Sequence, residues 1–97
     1  EVVAGEGDAS LRLAGDGPVL LARLDAIALA TPRTVRLAGS VAEGRITWVT
    51  RSSLWGFPDY TTAQLREDGV QVHARLRFGR GDMGVNAARL RDWLARL

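Results

Sequence analysis

Apolar and polar positions along this chain follow a helical period in two stretches and a two-residue period in several stretches between them. Leu20, Leu24, Ile27 and Ala28 recur at helical spacing. Asp16-Gly17 precedes Pro18, which suits the first helical position because its missing N–H would have no intrahelical partner there. Thr31-Pro32 stops the run, since a residue before proline is pushed out of helical space. The last thirteen positions, "VNAARLRDWLARL", place Leu90, Trp93, Leu94 and Leu97 on a second stripe, with Arg89, Asp92 and Arg96 away from it. Asn86 is expected to be the N-cap of this final helix.

Between the helices the period changes to two. "RTVRLAGS" sets Val35 and Leu37 against Arg36, "VAEG" turns, and "RITWVTRSSLW" reads as a strand rich in β-branched and aromatic residues. "GFPD" ends it. "YTTAQLRE" and "VQVHARLRF" flank Asp68-Gly69, a strong hairpin signal because a two-residue type I′ loop needs positive φ at both positions. Closing the hairpin there predicts the pairs Leu65 with Val72, Ala63 with Ala74 and Thr61 with Leu76 on the core face. The opposite face then pairs Gln64 with His73, Thr62 with Arg75 and Tyr60 with Arg77. The glycine-rich opening, "EVVAGEGDASLRLAGDG", alternates weakly and is expected to be loose over residues 1–15, with a short strand at Ser10 to Ala14. The fold class expected is α+β: a mostly antiparallel sheet of about four strands with two helices packed on one face, forming one domain over residues 1–97.

Composition narrows the class further. A chain of 97 residues with 46% hydrophobic and 25% charged positions is that of an ordinary globular domain. The net charge is only +2, yet all thirteen basic side chains are arginine, each a planar fork suited to carboxylate, phosphate or aromatic faces. With no cysteine and one histidine, thiolate chemistry and a multi-histidine metal cluster are excluded, and neither a cofactor nor a metal is expected. The longest apolar run, "PVLLARLDAIALA", contains Arg23 and Asp25 and is too short to span a bilayer. The first residue is Glu1, so a removed signal or anchor ahead of it is an expectation compatible with the sequence.

Candidate chemistry concentrates in two stretches. "GRGDMG" precedes the last helix, and successive backbone N–H groups in such a turn can cradle an anion, with Arg77 and Arg80 to neutralise it. It is neither a Walker loop nor a dinucleotide fingerprint. The structural alternative is a tight strand-to-helix connection in which Arg89 salt-bridges Asp82 or Asp59. Asp59, nearly opposite Phe78 in the expected register, and Asp82 could form a couple near Arg51, Arg77 and Arg80. Cationic neighbours would lower both acids, which suits an ion-pair network or a metal site better than acid catalysis near neutral pH. His73 has no nucleophile beside it, and Ser52 and Ser53 lack the Gly-x-Ser-x-Gly context of a hydrolase. "SLWGFP" puts Leu54, Trp55 and Phe57 either over the core or in a sticky patch that could meet a partner or anionic headgroups.

The stretches "RSSLWGFPD" and "RFGRGDMGVNAAR" together resemble the paired signature of domain-of-unknown-function family 1499, over about the last half of the chain. Arg77, Gly79, Asp82, Gly84, Asn86 and Arg89 fall at that family's spacing. The sequence departs from the family at Ala74, Leu76 and Gly81, where serines are usual, and lacks its N-terminal cysteine segment. The resemblance implies an exported or membrane-tethered small domain and no known reaction.

The function expected is therefore an envelope-associated binding or interaction domain, extracytoplasmic, taking an anionic small molecule, a lipid headgroup or a protein partner. Its candidate ligand-binding residues are Arg51, Ser52, Asp59, Arg77, Arg80, Asp82, Asn86 and Arg89, on backbone set by Gly56, Gly79 and Gly84. Nucleic acid is disfavoured, because the net charge is small and the aromatic pattern of RNA-recognition sheets is absent. The alternative is a hydrolase or isomerase using Asp59 or Asp82 beside an arginine clamp.

Overall fold

The computed structural model describes residues 2–4, 8–51, 58–76 and 85–97. Six strands and two helices follow one another as β1 (Val2–Ala4), β2 (Asp8–Ala14), α1 (Gly17–Leu29), β3 (Thr34–Ser40), β4 (Arg45–Arg51), β5 (Pro58–Arg66), β6 (Gly69–Leu76) and α2 (Val85–Arg96). The strands form one sheet in the order β1-β2-β6-β5-β4-β3, and all five neighbouring pairs are antiparallel. After the β1–β2 hairpin, α1 carries the chain across to the far edge. The meander β3 to β6 then returns until β6 pairs with β2.

The sheet has six strands where about four are expected: β1 lies in the opening expected to be loose, and β2 contains the short strand expected at Ser10 to Ala14 and begins two residues earlier. Leu11 and Ala9 alternate inward along β2 and are almost fully buried. What makes β2 a strand is its partner: seven residues, Asp8 to Ala14, pair with Arg75 to Gly69 of β6. Such a long-range ladder leaves little trace in local propensity.

Both helices cover the same sheet face. Helix α1 starts as its punctuation predicts, with the Asp16 side chain accepting a hydrogen bond from Val19 N–H at 3.2 Å. It buries Leu21, Leu24 and Ala28, with Leu20 and Ile27 at the margin. Helix α2 buries Asn86, Ala87, Leu90 and Trp93, whereas Leu94, expected in the stripe, is exposed. The core-facing rows run across the strands: Ile46–Ala63–Val72–Leu11, then Trp48–Thr61–Ala74–Ala9. Trp48 meets Trp93 of α2 edge-on, with ring centroids 5.6 Å apart. Pairs in this arrangement contribute about 0.5–1.5 kcal/mol beyond the area they bury.

The hairpin register differs from expectation by two residues. Arg66 pairs with Gly69, so the loop is Glu67-Asp68, and Leu65, Ala63 and Thr61 face Val70, Val72 and Ala74. Neither Glu67 nor Asp68 takes positive φ, so the turn is not type I′. Gly69 answers instead to β2, because a Cβ there would lie 1.8 Å from the Leu13 carbonyl oxygen. A shift of two preserves which face each side chain occupies.

Strand β3 inverts the expected alternation. Arg36 pairs with Trp48 and points to the helix side, while Val35 and Leu37 are more than half exposed. The cause lies in α1, whose Asp25 has only 14% of its side chain accessible. Arg36 donates to both Asp25 oxygens, and Trp48 Nε1–H donates to Oδ1 at 3.0 Å. Burial alone would raise the Asp25 pKa, but hydrogen bonds from Arg36 and Trp48 and the arginine's charge outweigh it and hold the carboxyl below its ordinary range. A carboxylate so placed needs a cation on the inner face, and β3 supplies one; a bulge between Arg36 and Ala38 follows.

Candidate functional site

The expected site gathers at one end of the sheet. Strand β4 ends at Arg51, paired with Pro58 at the start of β5, and β6 ends at Leu76, paired with Asp59. The two connections 52–57 and 77–84 therefore leave the sheet at the same end. Ser52, Gly56, Arg77, Gly79, Arg80, Asp82 and Gly84 lie outside the described residues. Arg51, Asp59, Asn86 and Arg89 lie within them.

Three of these four form one buried cluster. Asp59 sits on the helix-covered face of β5 with 7% of its surface accessible, and Asn86 of α2 is fully enclosed. Arg89, one turn along α2, donates from one terminal nitrogen to Asp59 Oδ2 at 3.0 Å and from the other to Asn86 Oδ1 at 2.6 Å. Both partners of the ion pair keep only 10% of their side-chain surface. Of the two partners open to Arg89 in the sequence, Asp59 is bound, and Asp82 lies outside the described residues. Its cross-strand neighbour is Leu76 rather than Phe78, a consequence of the shifted register. Asp59 Oδ1 is buried and has no hydrogen-bond partner among the described residues.

Asn86 is corrected in role. It is the second residue of α2, not the residue ahead of it, and its side-chain oxygen accepts from Arg89. The i, i+3 spacing on a helix makes the contact possible. Successive side chains of a strand alternate, so Arg51 starts from the face opposite Thr50 and Asp59. Its backbone closes the connection before β3: Arg51 N–H donates to the Arg33 carbonyl at 3.0 Å, and Arg33 Nε–H donates to the Arg51 carbonyl at 3.2 Å.

The cluster can do one thing well, which is to hold. Asp59 follows the first connection by two residues, and Asn86 and Arg89 follow the second within a turn. The clamp thus fastens the exits of both connections to each other across β5 and α2.

A second polar surface occupies the sheet's other face. Its rows are Arg45–Gln64–Gln71–Arg12 and Thr47–Thr62–His73–Ser10, with Tyr60 beside Arg75 and Asp8 in the next row. The members on β4, β5 and β6 line a concavity of about 520 Å³ that reaches Arg66, while Arg12, Ser10 and Asp8 of β2 lie beside it. Thr47 and Thr62 share a hydrogen bond at 2.9 Å, Arg66 donates to Gln71 at 3.0 Å, and His73 meets Asp8 at 3.4 Å. The sequence predicts a wet face carrying His73 and Arg75, but the register error places His73 opposite Gln64 rather than Thr62. Arg45 and Arg12 lie on strands whose pairing the sequence does not reveal. Among the described residues no group of three or more His, Cys, Asp or Glu side chains is placed to hold a metal ion, and no helix is long and apolar enough to cross a membrane.

No curated protein and no solved structure matches this chain. A family model does, over residues 8–97, from the first residue of β2 to the last of the chain. The match includes the clamp, both connections and the whole sheet except β1. The chain belongs to the family described as protein of unknown function DUF1499.

Proposed function

We propose that this protein is a binding domain, not a catalyst, and that it presents the connections 52–57 and 77–84 to an anionic small molecule, a lipid headgroup or a protein partner at the cell envelope. The observation that carries this reading is the buried Asp59–Arg89–Asn86 clamp, which joins the exits of both connections. A general acid or base must reach substrate, and Asp59 is enclosed and bound to a guanidinium. Holding two connections at fixed separation is what a recognition surface needs, because preorganisation lowers the ordering loss on binding. Arg77 and Arg80 supply the charge for the ligand, with backbone N–H groups around Gly79 and Gly84.

The test is a thermal-shift series of wild type, Arg77→Ala and Arg80→Ala against inorganic phosphate, citrate and vesicles of anionic phospholipid. Stabilisation of the wild type by a few degrees, reduced in both variants, is the expected result. Stabilisation equal in all three proteins, or none with any probe, refutes the anionic-ligand reading and leaves the protein-partner one. Turnover of an ester or sugar-phosphate panel that is abolished by Asp59→Asn while the fold survives would restore the enzyme.

A further inference from the structure

The geometry points to a second site, on the uncovered face of the sheet, built for an acidic oligosaccharide of a few sugar units. The face is a regular array. Arg45, Gln64, Gln71 and Arg12 occupy successive strands in one row, and Thr47, Thr62, His73 and Ser10 occupy the next. With strands about 4.8 Å apart, Arg45 and Arg12 begin roughly 14 Å from each other at the two ends of a row of amides. Arg75 stands in the third row, next to Tyr60.

Charge selects an anion. Neither Arg45 nor Arg75 has an ion-pair partner among the described residues. Two acids stand nearby: Asp8, opposite Arg75 on β2, meets His73 at 3.4 Å, and Glu43 meets Ser40. No Asp or Glu lines the concavity itself. The same excess of positive charge opposes a second copy of this chain on the face.

The floor selects hydroxyl groups. Gln64, Gln71, Thr47 and Thr62 offer paired donors and acceptors, the complement of vicinal sugar hydroxyls. Single-stranded nucleic acid would require several aromatic platforms, and Tyr60 is the one aromatic side chain lining this concavity. A protein partner would want apolar anchors at the centre, where this face has amides. Acidic sugars satisfy both features: carboxylates for the arginines at the ends, hydroxyls for the floor between.

The experiment is a titration of 15N-labelled protein with tetragalacturonate, followed by amide shifts and by calorimetry, with maltotetraose, oligothymidylate and poly-glutamate in parallel. Saturable shifts centred on Gln64, Gln71 and Arg45 are expected with tetragalacturonate, and none with neutral maltotetraose. Arg45→Ala and Arg75→Ala should each weaken binding about tenfold, as loss of one charge-assisted contact does. Gln64→Ala should weaken it several-fold, and all three should keep the wild-type melting temperature, since these side chains are exposed. Shifts centred on Gln64, Gln71 and Arg45, with none at Asn86 or Arg89, separate this binding from the ligand proposed for the connections. Absence of saturable shifts at millimolar tetragalacturonate overturns the proposal. So does tighter binding of oligothymidylate or poly-glutamate, or undiminished affinity in Arg45→Ala.

Discussion

Replacing Asp59 with alanine isolates the clamp. The substitution removes the carboxylate bound by Arg89 at 3.0 Å and leaves the guanidinium with 90% of its side chain enclosed. Breaking a buried pair by removing one partner typically destabilises by about 3–5 kcal/mol. Here Asn86 Oδ1 still accepts from Arg89, which places the loss at the lower end, about 3 kcal/mol. A domain of this size holds about 5–15 kcal/mol in total, and each kcal/mol moves its melting point by about 4–8 °C. Asp59→Ala should therefore melt roughly 12–24 °C below wild type.

Urea unfolding followed by tryptophan fluorescence measures the loss, because Trp48 and Trp93 are both buried in the core. Arg89→Met and the double variant Asp59→Ala/Arg89→Met complete a cycle. The double variant should be more stable than the sum of the singles implies, by about 1–3 kcal/mol, since it buries no unpaired charge. A loss below about 0.5 kcal/mol in Asp59→Ala, or an additive double variant, would refute a clamp.

Thr61→Val should raise stability by about 1 kcal/mol, because the Thr61 hydroxyl is fully buried without a hydrogen-bond partner among the described residues; thermal melts decide, and a drop would mean the hydroxyl is bonded. Asp25 has a folded pKa below its ordinary 3.8, so its stabilisation is present above that pH and is lost as pH falls through the lower folded value. The gap in unfolding free energy between wild type and Asp25→Asn should accordingly close in acid; a gap unchanged down to about pH 2 would contradict the assignment. Gly69→Ala forces a Cβ against the Leu13 carbonyl and should destabilise by more than about 1 kcal/mol, with faster hydrogen exchange along β2; unaltered exchange there would show that β2 tolerates the displacement.

What the sequence discloses and what it conceals divide along one physical line. The helices announce themselves because their apolar positions, caps and stops lie within a few turns of each other, and Asp16 and Trp93 act as that local chemistry predicts. Strand β2 is legible only in part, Ser10 to Ala14 from their alternation and its pairing not at all, because its partner β6 lies some sixty residues away in the chain. The same remoteness bears on the register: Gly69 is required both by its positive φ beside the turn and by the close approach of Leu13. Strand β3 shows the sharpest conflict. Its alternation nominates Val35 and Leu37 for the core, yet a largely enclosed carboxylate on α1, held also by an indole N–H on β4, draws Arg36 to the helix side, leaving the apolar pair exposed. One satisfied charge outranks two methyl-rich side chains because an uncompensated buried carboxylate costs more than the transfer of a valine and a leucine to water gives up at an edge strand.

The clamp sits on both sides of that line. The spacing before α2 offers Arg89 a carboxylate, and Asp59 is one of two candidates that the sequence supplies. That Asp59 is bound rests on the long-range fact that β5 passes beneath α2. Asn86 illustrates the cost of reading a helix start by composition alone: an asparagine is a good cap, but here its oxygen accepts from the terminal nitrogen of Arg89 that does not reach Asp59. The two functional proposals inherit this difference. The connections owe their candidate chemistry to a contiguous motif and their support to the clamp beneath them. The array of Arg12, Arg45, Gln64 and Gln71 draws one residue from each of four strands: the hairpin pattern predicts a polar face carrying Gln64, His73 and Arg75, but only the assembled sheet adds Arg12 and Arg45 to it.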